Sequence, residues 1–155
     1  MTAGQRLERF EAFSADVTAF NVFQLRGTGQ SEAYLAAVIG VVGEELLDEL
    51  LERHRGLPAS ALEDGLRRVI FSDERLGPIA RNIVKLWFVG TWYELPAAWR
   101  ESFGALESDV TFMVSGMAYT EGLLWPTIGA NPPGAKGPGY GSWAGPPRIP
   151  AIEAT

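Results

Sequence analysis

The sequence predicts a mainly α fold, a compact helical domain over residues 1–125 followed by an irregular Gly/Pro-rich tail over 126–155. Three observations lead there. Apolar residues recur every three or four positions through most of the first 125 residues, the spacing of one helix face. No stretch alternates apolar and polar residues for long enough to suggest a sheet, and no internal repeat is visible. The segment from Trp125 to Pro147, W-P-T-I-G-A-N-P-P-G-A-K-G-P-G-Y-G-S-W-A-G-P-P, is too rich in proline and glycine for regular structure.

The elements follow in order. Leu7, Phe10, Phe13, Val17 and Phe20 form the apolar face of an opening helix, and Asn21 to Ser31 reads as a loop around Gly27-Thr28-Gly29. Ser31 is the expected N-cap of the longest helix, which runs to about His54 before the stop signals Gly56 and Pro58. Its first half, Ala33 to Val42, is apolar nearly all round and should be buried. Its second half sets Leu46, Leu47, Leu50 and Leu51 against a solvated face of Glu44, Glu45, Asp48, Glu49 and Glu52. Ser60-Ala61-Leu62-Glu63 has the form of a capping box and starts a short helix through Phe71. Pro78 suits the first turn of the next helix, with Ile79, Ile83, Leu86, Trp87 and Gly90 inward and Arg81, Asn82 and Lys85 on the wetter side. Pro96 opens a helical stretch through Phe103, closed by Gly104. A last helix from Val114 to Trp125 is stopped by Pro126.

Composition excludes several function classes. A length of 155 residues suits one domain with a real core, and 46% hydrophobic and 21% charged residues are the proportions of a soluble globular protein. The net charge of −6 argues against nucleic acid, and the acidic run near Glu44 argues against an anionic membrane surface. With no cysteine there is no disulfide framework, thiolate metal site or cysteine nucleophile. The longest apolar run, Tyr34 to Gly43, is far short of the roughly 20 residues of a membrane span. The first residues show no leader, which predicts a cytoplasmic protein as the chain stands.

Candidate chemistry is sparse. His54 is the one histidine, and between Arg53 and Arg55 at a helix end it reads as a partner of the helix dipole rather than a catalytic base. Carboxylates at i and i+4 from Glu44 to Glu52 could in principle hold a divalent cation, but the paired Glu-x-x-His motifs of a carboxylate metal bundle are missing, and a solvated helix face is the better reading. Gly27-x-Gly29 lacks a third glycine, and Gly137, Gly139 and Gly141 are followed by no Gly-Lys-Ser/Thr, so neither is a nucleotide loop. No catalytic, cofactor or metal residues are therefore assigned in this chain. The aromatic residues are the remaining signal. Trp87 belongs to the core. Trp125, Tyr140, Trp143, Pro146 and Pro147 are candidate partner-binding residues, because large side chains on an irregular segment must be covered either by the chain's own body or by a second polypeptide. Stretched at about 3.1 Å per residue, the segment from Trp125 to Pro147 would cover up to roughly 70 Å.

Four stretches carry a resemblance: Phe10-Glu11-Ala12-Phe13-Ser14 with Thr18-Ala19-Phe20, Leu86-Trp87-Phe88-Val89-Gly90, Ala118-Tyr119-Thr120-Glu121-Gly122-Leu123, and Pro138-Gly139-Tyr140-Gly141-Ser142-Trp143-Ala144-Gly145-Pro146-Pro147. Together they resemble the small subunit of bacterial FAD-dependent sugar and polyol dehydrogenases, the sorbitol dehydrogenase small-subunit family, over nearly the whole chain. The last motif is the most specific. The resemblance implies a helical, non-catalytic partner of a large flavoprotein of the glucose-methanol-choline oxidoreductase type. That larger chain carries the FAD and the histidine base, and often passes electrons to a cytochrome subunit or a quinone. The small chain would support its folding, solubility and, through a twin-arginine leader, its export. Such a leader is not seen here; had one been removed, the complex would be periplasmic. The tail cysteine of some members is also absent, so association would be noncovalent. Two other classes stay open: a transient folding or export chaperone for that flavoprotein, and a free-standing enzyme using carboxylates such as Glu44 and Asp48.

Overall fold

The structure, a computed structural model, describes residues 1–135 and is mainly α, as the sequence predicts. Helix α1 (Ala3–Thr18) starts at a capping box, in which the Thr2 hydroxyl accepts from the Gln5 N–H at 3.3 Å and the Gln5 side chain accepts from the Thr2 N–H at 3.1 Å. The predicted stripe holds, with Phe10 and Phe13 fully buried. The expected loop after it contains a helix, α2 (Val22–Gly27), because Asn21 and Gln24 form a second capping box that outweighs the glycines behind it.

The single helix expected from Ser31 to His54 is two, α3 (Ser31–Val42) and α4 (Glu44–Arg55). Gly43 separates them at φ 80°, a conformation no helix accommodates. Gln30, not Ser31, is the N-cap, and Ser31 lies inside the first turn. Tyr34, Val38, Val41 and Val42 of α3 are buried, whereas Ala36 and Gly40 are exposed, so this helix has one inner face and is not enclosed all round. The leucines of α4 are buried as expected.

After a 3₁₀ turn (Ala59–Ala61), α5 (Leu62–Gly65) leads into a π-helical turn (Leu66–Phe71). The expected Ser60–Glu63 capping box does not form. Ser60 is taken up in the 3₁₀ turn, and the Glu63 carboxylate accepts from Arg67 at 3.0 Å. At the far end of the wide turn the Ser72 hydroxyl donates to the Arg67 carbonyl at 2.8 Å, and Arg81 donates to the Phe71 carbonyl at 2.7 Å.

Helix α6 (Leu76–Val89) is the centre of the fold, packing against α1, α3 and α4 and against the C-terminal segments. Leu76, Ile79, Ala80, Ile83 and Leu86 are fully buried, and Trp87 is 1% exposed between the Phe10 ring (6.3 Å, stacked) and the Tyr34 ring (4.9 Å, edge-on). Asn82, expected on the wetter side, is 3% exposed: its amide donates to the Tyr93 carbonyl at 2.6 Å, which places a polar group inward to hold the loop that follows.

Two strands not anticipated from the sequence come next, β1 (Thr91–Trp92) and β2 (Phe112–Met113), paired antiparallel with Thr91 opposite Met113 and Trp92 opposite Phe112. Two residues each are too few to leave an alternating pattern. The Asp109 carboxylate braces the ladder, accepting from the Trp92 indole at 2.9 Å and from the Leu95 N–H at 3.0 Å. Between the strands, α7 (Ala97–Phe103) begins at Pro96 and ends at Gly104 as expected, with the Trp99 indole donating to the Arg75 carbonyl at 2.8 Å. The last predicted helix is also split, into α8 (Gly116–Thr120), capped by Ser115, and α9 (Leu124–Thr127). Pro126 does not stop it. It sits in the first turn of α9, where its missing N–H is no loss, so helical structure crosses the boundary drawn after Trp125.

The joint between α6 and α8–α9 is backbone against backbone. A Cβ on Gly90 (φ 68°) would meet the Ala118 backbone at 2.6 Å, and one on Gly122 would meet the Phe88 carbonyl at 2.7 Å. Gly90→Ala combines a left-handed residue with a clash that cannot relax, so it should destabilise the chain by at least about 2 kcal/mol. Gly40→Ala, in an exposed helix interior with nothing near the added methyl, should instead be neutral or stabilise by about 0.5–1 kcal/mol. Thermal or urea unfolding of the two variants checks the contrast.

Candidate partner-docking surface

Four of the acidic residues singled out from the sequence, Glu44, Asp48, Glu49 and Glu52, are paired with arginines. Arg6, buried on α1, donates from Nε to Asp48 at 2.6 Å and from Nη2 to Asp48 at 3.0 Å and Glu44 at 2.9 Å. Glu49 receives Arg53 at 2.8 Å and Arg75 at 3.0 Å, and Glu52 is paired with Arg9 and Arg55. The acidic face of α4 is therefore not simply solvated, as expected, but latticed with arginines from its own and neighbouring elements. Arg6, Arg9 and Arg75 are far from their partners in sequence, and a reading of α4 alone could not reveal them. Among the described residues, no group of three or more His, Asp or Glu is arranged to hold a metal ion.

His54 is 9% exposed. Its Nε2 lies 2.7 Å from an Asp16 carboxylate oxygen, and its ring meets the Phe13 ring edge-on at 5.4 Å. It joins the end of α4 to α1, a tie that the sequence reading of His54 as a partner of the helix dipole did not include.

Three of the four resembling stretches lie within the described residues, and the fold brings them together. Phe10 stacks on Trp87, Phe20 meets Phe88 edge-on at 6.2 Å, Gly90 lies against Ala118, and the Leu123 N–H donates to the Trp87 carbonyl at 2.9 Å. Trp125 is half-buried: its indole donates to the Tyr119 carbonyl at 2.8 Å and its ring packs edge-on against Tyr119. Tyr140, Trp143, Pro146 and Pro147, the other candidate partner-binding residues, lie outside the described residues.

Beside this joint an open groove of about 430 Å³ runs between α2 and the α8–α9 segment, with Phe20, Gln24, Gly27, Leu123, Trp125 and Pro132 among its walls. Large apolar side chains stand exposed nearby, Phe23 on α2 (85%) and Ile128 just past α9 (59%). The sequence reading passed over α2. The signal was the Asn21-x-x-Gln24 capping box, which turns Phe23 from a loop residue into a fixed projection.

No protein-family model, no curated protein and no solved structure matches this chain.

The Arg6 pair makes a pH-dependent contribution of known sign. Hydrogen bonds and attraction from Arg6 hold the Asp48 carboxyl below its ordinary 3.8. A depressed folded pKa adds stability that is complete above the unfolded value and is lost as pH falls through the folded one. Asp48→Asn should therefore be less stable than wild type at neutral pH and should lose less further stability below about pH 4. Urea midpoints measured down to roughly pH 2.5 test it; equal acid sensitivity of the two proteins would rule out this pair as a contributor.

Proposed function

We propose that this chain is the non-catalytic small subunit of an FAD-dependent sugar or polyol dehydrogenase, supporting the folding and stability of a large glucose-methanol-choline-type flavoprotein. The observation that carries the reading is the convergence of the resembling stretches. Residues far apart in sequence, Phe10, Trp87, Gly90, Ala118 and Leu123, form one packed unit, so the likeness belongs to a single piece of architecture. The partner would bind the FAD, whose chemistry is acceptance of a hydride from a sugar or polyol carbinol. This chain would supply surface.

Two further observations support it over a carboxylate-dependent enzyme. Asp48 is held ionised by a two-point grip from Arg6, and Glu44 shares the same guanidinium, a poor arrangement for a group that must give and take protons near neutral pH. Apolar side chains as large as Phe23 and Ile128 also stand in water, as anchors awaiting a partner do.

Co-expression with a FAD-containing glucose-methanol-choline-type dehydrogenase tests the reading. A stable yellow complex is expected, and the chain purified alone should carry no flavin absorbance and oxidise no sugar. Release of this chain once the flavoprotein has matured would favour the chaperone alternative. Trp143→Ala, by removing an interfacial indole, should weaken the complex by about 2 kcal/mol, some thirtyfold, and lower its yield while leaving the turnover of surviving complex nearly intact. Ending the chain at Ala135 should do so more severely. A full-yield, equally stable complex from the shortened chain would remove the tail from this role.

A further inference from the structure

We propose that the open edge of β2 pairs antiparallel with the same edge of a second copy of this chain, joining the two small ladders into one sheet across a two-fold axis. The inference does not depend on the small-subunit reading.

The register decides which backbone groups are left over. The Val114 N–H donates to the Gly90 carbonyl at 3.0 Å, and Trp92 stands opposite Phe112. Hydrogen-bonded and non-hydrogen-bonded pairs alternate along an antiparallel ladder. Phe112 and Val114 therefore turn their N–H and C=O toward β1, while Thr111 and Met113 turn theirs away. Among the described residues, none hydrogen-bonds to those outward groups. The far edge of β1 is closed by contrast. It lies along α6, where the outward carbonyl of Tyr93 accepts from Asn82 at 2.6 Å.

The open edge lacks the devices that keep edge strands apart. From Val110 to Met117 the sequence is V-T-F-M-V-S-G-M, with no charged residue and no proline. Val110, Met113 and Met117, the last on α8 where it packs against β2, are each at least half exposed. The strand is nonetheless held in place. Asp109 accepts from Trp92 and Leu95 just before it, and the Thr111 hydroxyl accepts from the Glu94 N–H at 3.0 Å. A strand fixed in this way loses little freedom on pairing.

The order of residues along the edge selects a second copy as its occupant. V-T-F-M-V is matched about Phe112. Antiparallel self-pairing centred there sets Val110 opposite Val114, Phe112 opposite Phe112, and Thr111 opposite Met113. The outward groups of Thr111 and Met113 then exchange backbone bonds with their counterparts, and the two phenyl rings form an aromatic cross-strand pair. Each copy carries a net charge of −6, yet no charged residue enters this contact. A two-fold axis uses up the open edge, and with the edge of β1 closed the assembly stops at two.

Sedimentation equilibrium of the full chain tests this. Over about 1–500 µM it should show a monomer–dimer equilibrium, because so short a ladder buries an area at the small end of specific interfaces. Met113→Lys sets two like charges diagonally across the two-fold axis and should weaken the dimer by about tenfold or more. Its melting temperature at the lowest concentration should match wild type, since Met113 is half exposed and its N–H is not used by the β1 ladder. In parallel, a photo-crosslinking amino acid at position 113 should capture residues 110–114 of a second copy, a readout that stands even where Met113→Lys perturbs folding. A chain that stays monomeric throughout this range, or a folded Met113→Lys whose dimer is as tight as wild type, would overturn the inference. So would a crosslink to residues 136–155 or to another face of the second copy.

Discussion

The segment from 112 to 127 depends on how the last turn of α6 is satisfied. A helix leaves its final carbonyls without intrahelical donors, and in a buried setting each needs a partner from elsewhere. Here the donors come from across the chain: the Leu123 N–H serves Trp87, and the Val114 N–H serves Gly90. Those bonds require the two backbones to approach more closely than side chains allow, which is why Gly90 faces Ala118 and Gly122 faces Phe88. The short β1–β2 ladder is a continuation of the same contact. Once Val114 is fixed to Gly90, Met113 and Phe112 lie opposite Thr91 and Trp92. The segment from 112 to 127 is therefore an extension of the end of α6 and not an independent unit.

Charge organises the other half of the molecule on weaker terms. Most of the ion pairs on α4 are partly exposed, and such pairs contribute little individually. Arg6 and Glu11 differ because each is buried and would be costly to leave unpaired. Arg6 sets the register of α1 against α4, and Glu11 holds α2 against α1. The second bond ties α2, the helix that carries the exposed Phe23, to α1.

The legible parts of the fold were those encoded within a turn or two of sequence. The stripes of α1 and α6, the buried leucines of α4, and the Pro96 and Gly104 ends of α7 are all local patterns. The misread parts depend on distant residues. Nothing within the run from Ser31 to His54 marks Gly43 as a break, since a single glycine is tolerated in a helix unless its φ must be positive. Asn82 looked solvated because its acceptor, the Tyr93 carbonyl, lies beyond the end of the helix. Ser60 and Glu63 had capping-box spacing but were claimed by a 3₁₀ turn and by Arg67. The candidate site divides in the same way. Tail aromatics stand out in sequence by composition alone. Phe23 does not, because one phenylalanine in a short polar stretch means little until the cap of α2 and the Arg26–Glu11 bond fix its orientation.

These strands meet in Trp125. On sequence it belongs with Tyr140 and Trp143 as an anchor for a partner. In the structure its indole N–H is already committed to the Tyr119 carbonyl, and one side of its ring is covered by Tyr119. A side chain so held contributes a fixed wall more than a mobile hook, and it is fixed through α8, which is itself fixed by Gly90. That wall of the groove thus derives from the end of α6, while the facing helix α2 is tied to α1 through Arg26 and Glu11. Two independent devices, one of backbone packing and one of charge, set the two sides of the same opening. A surface built this way presents its apolar groups at small entropic cost to whatever covers it.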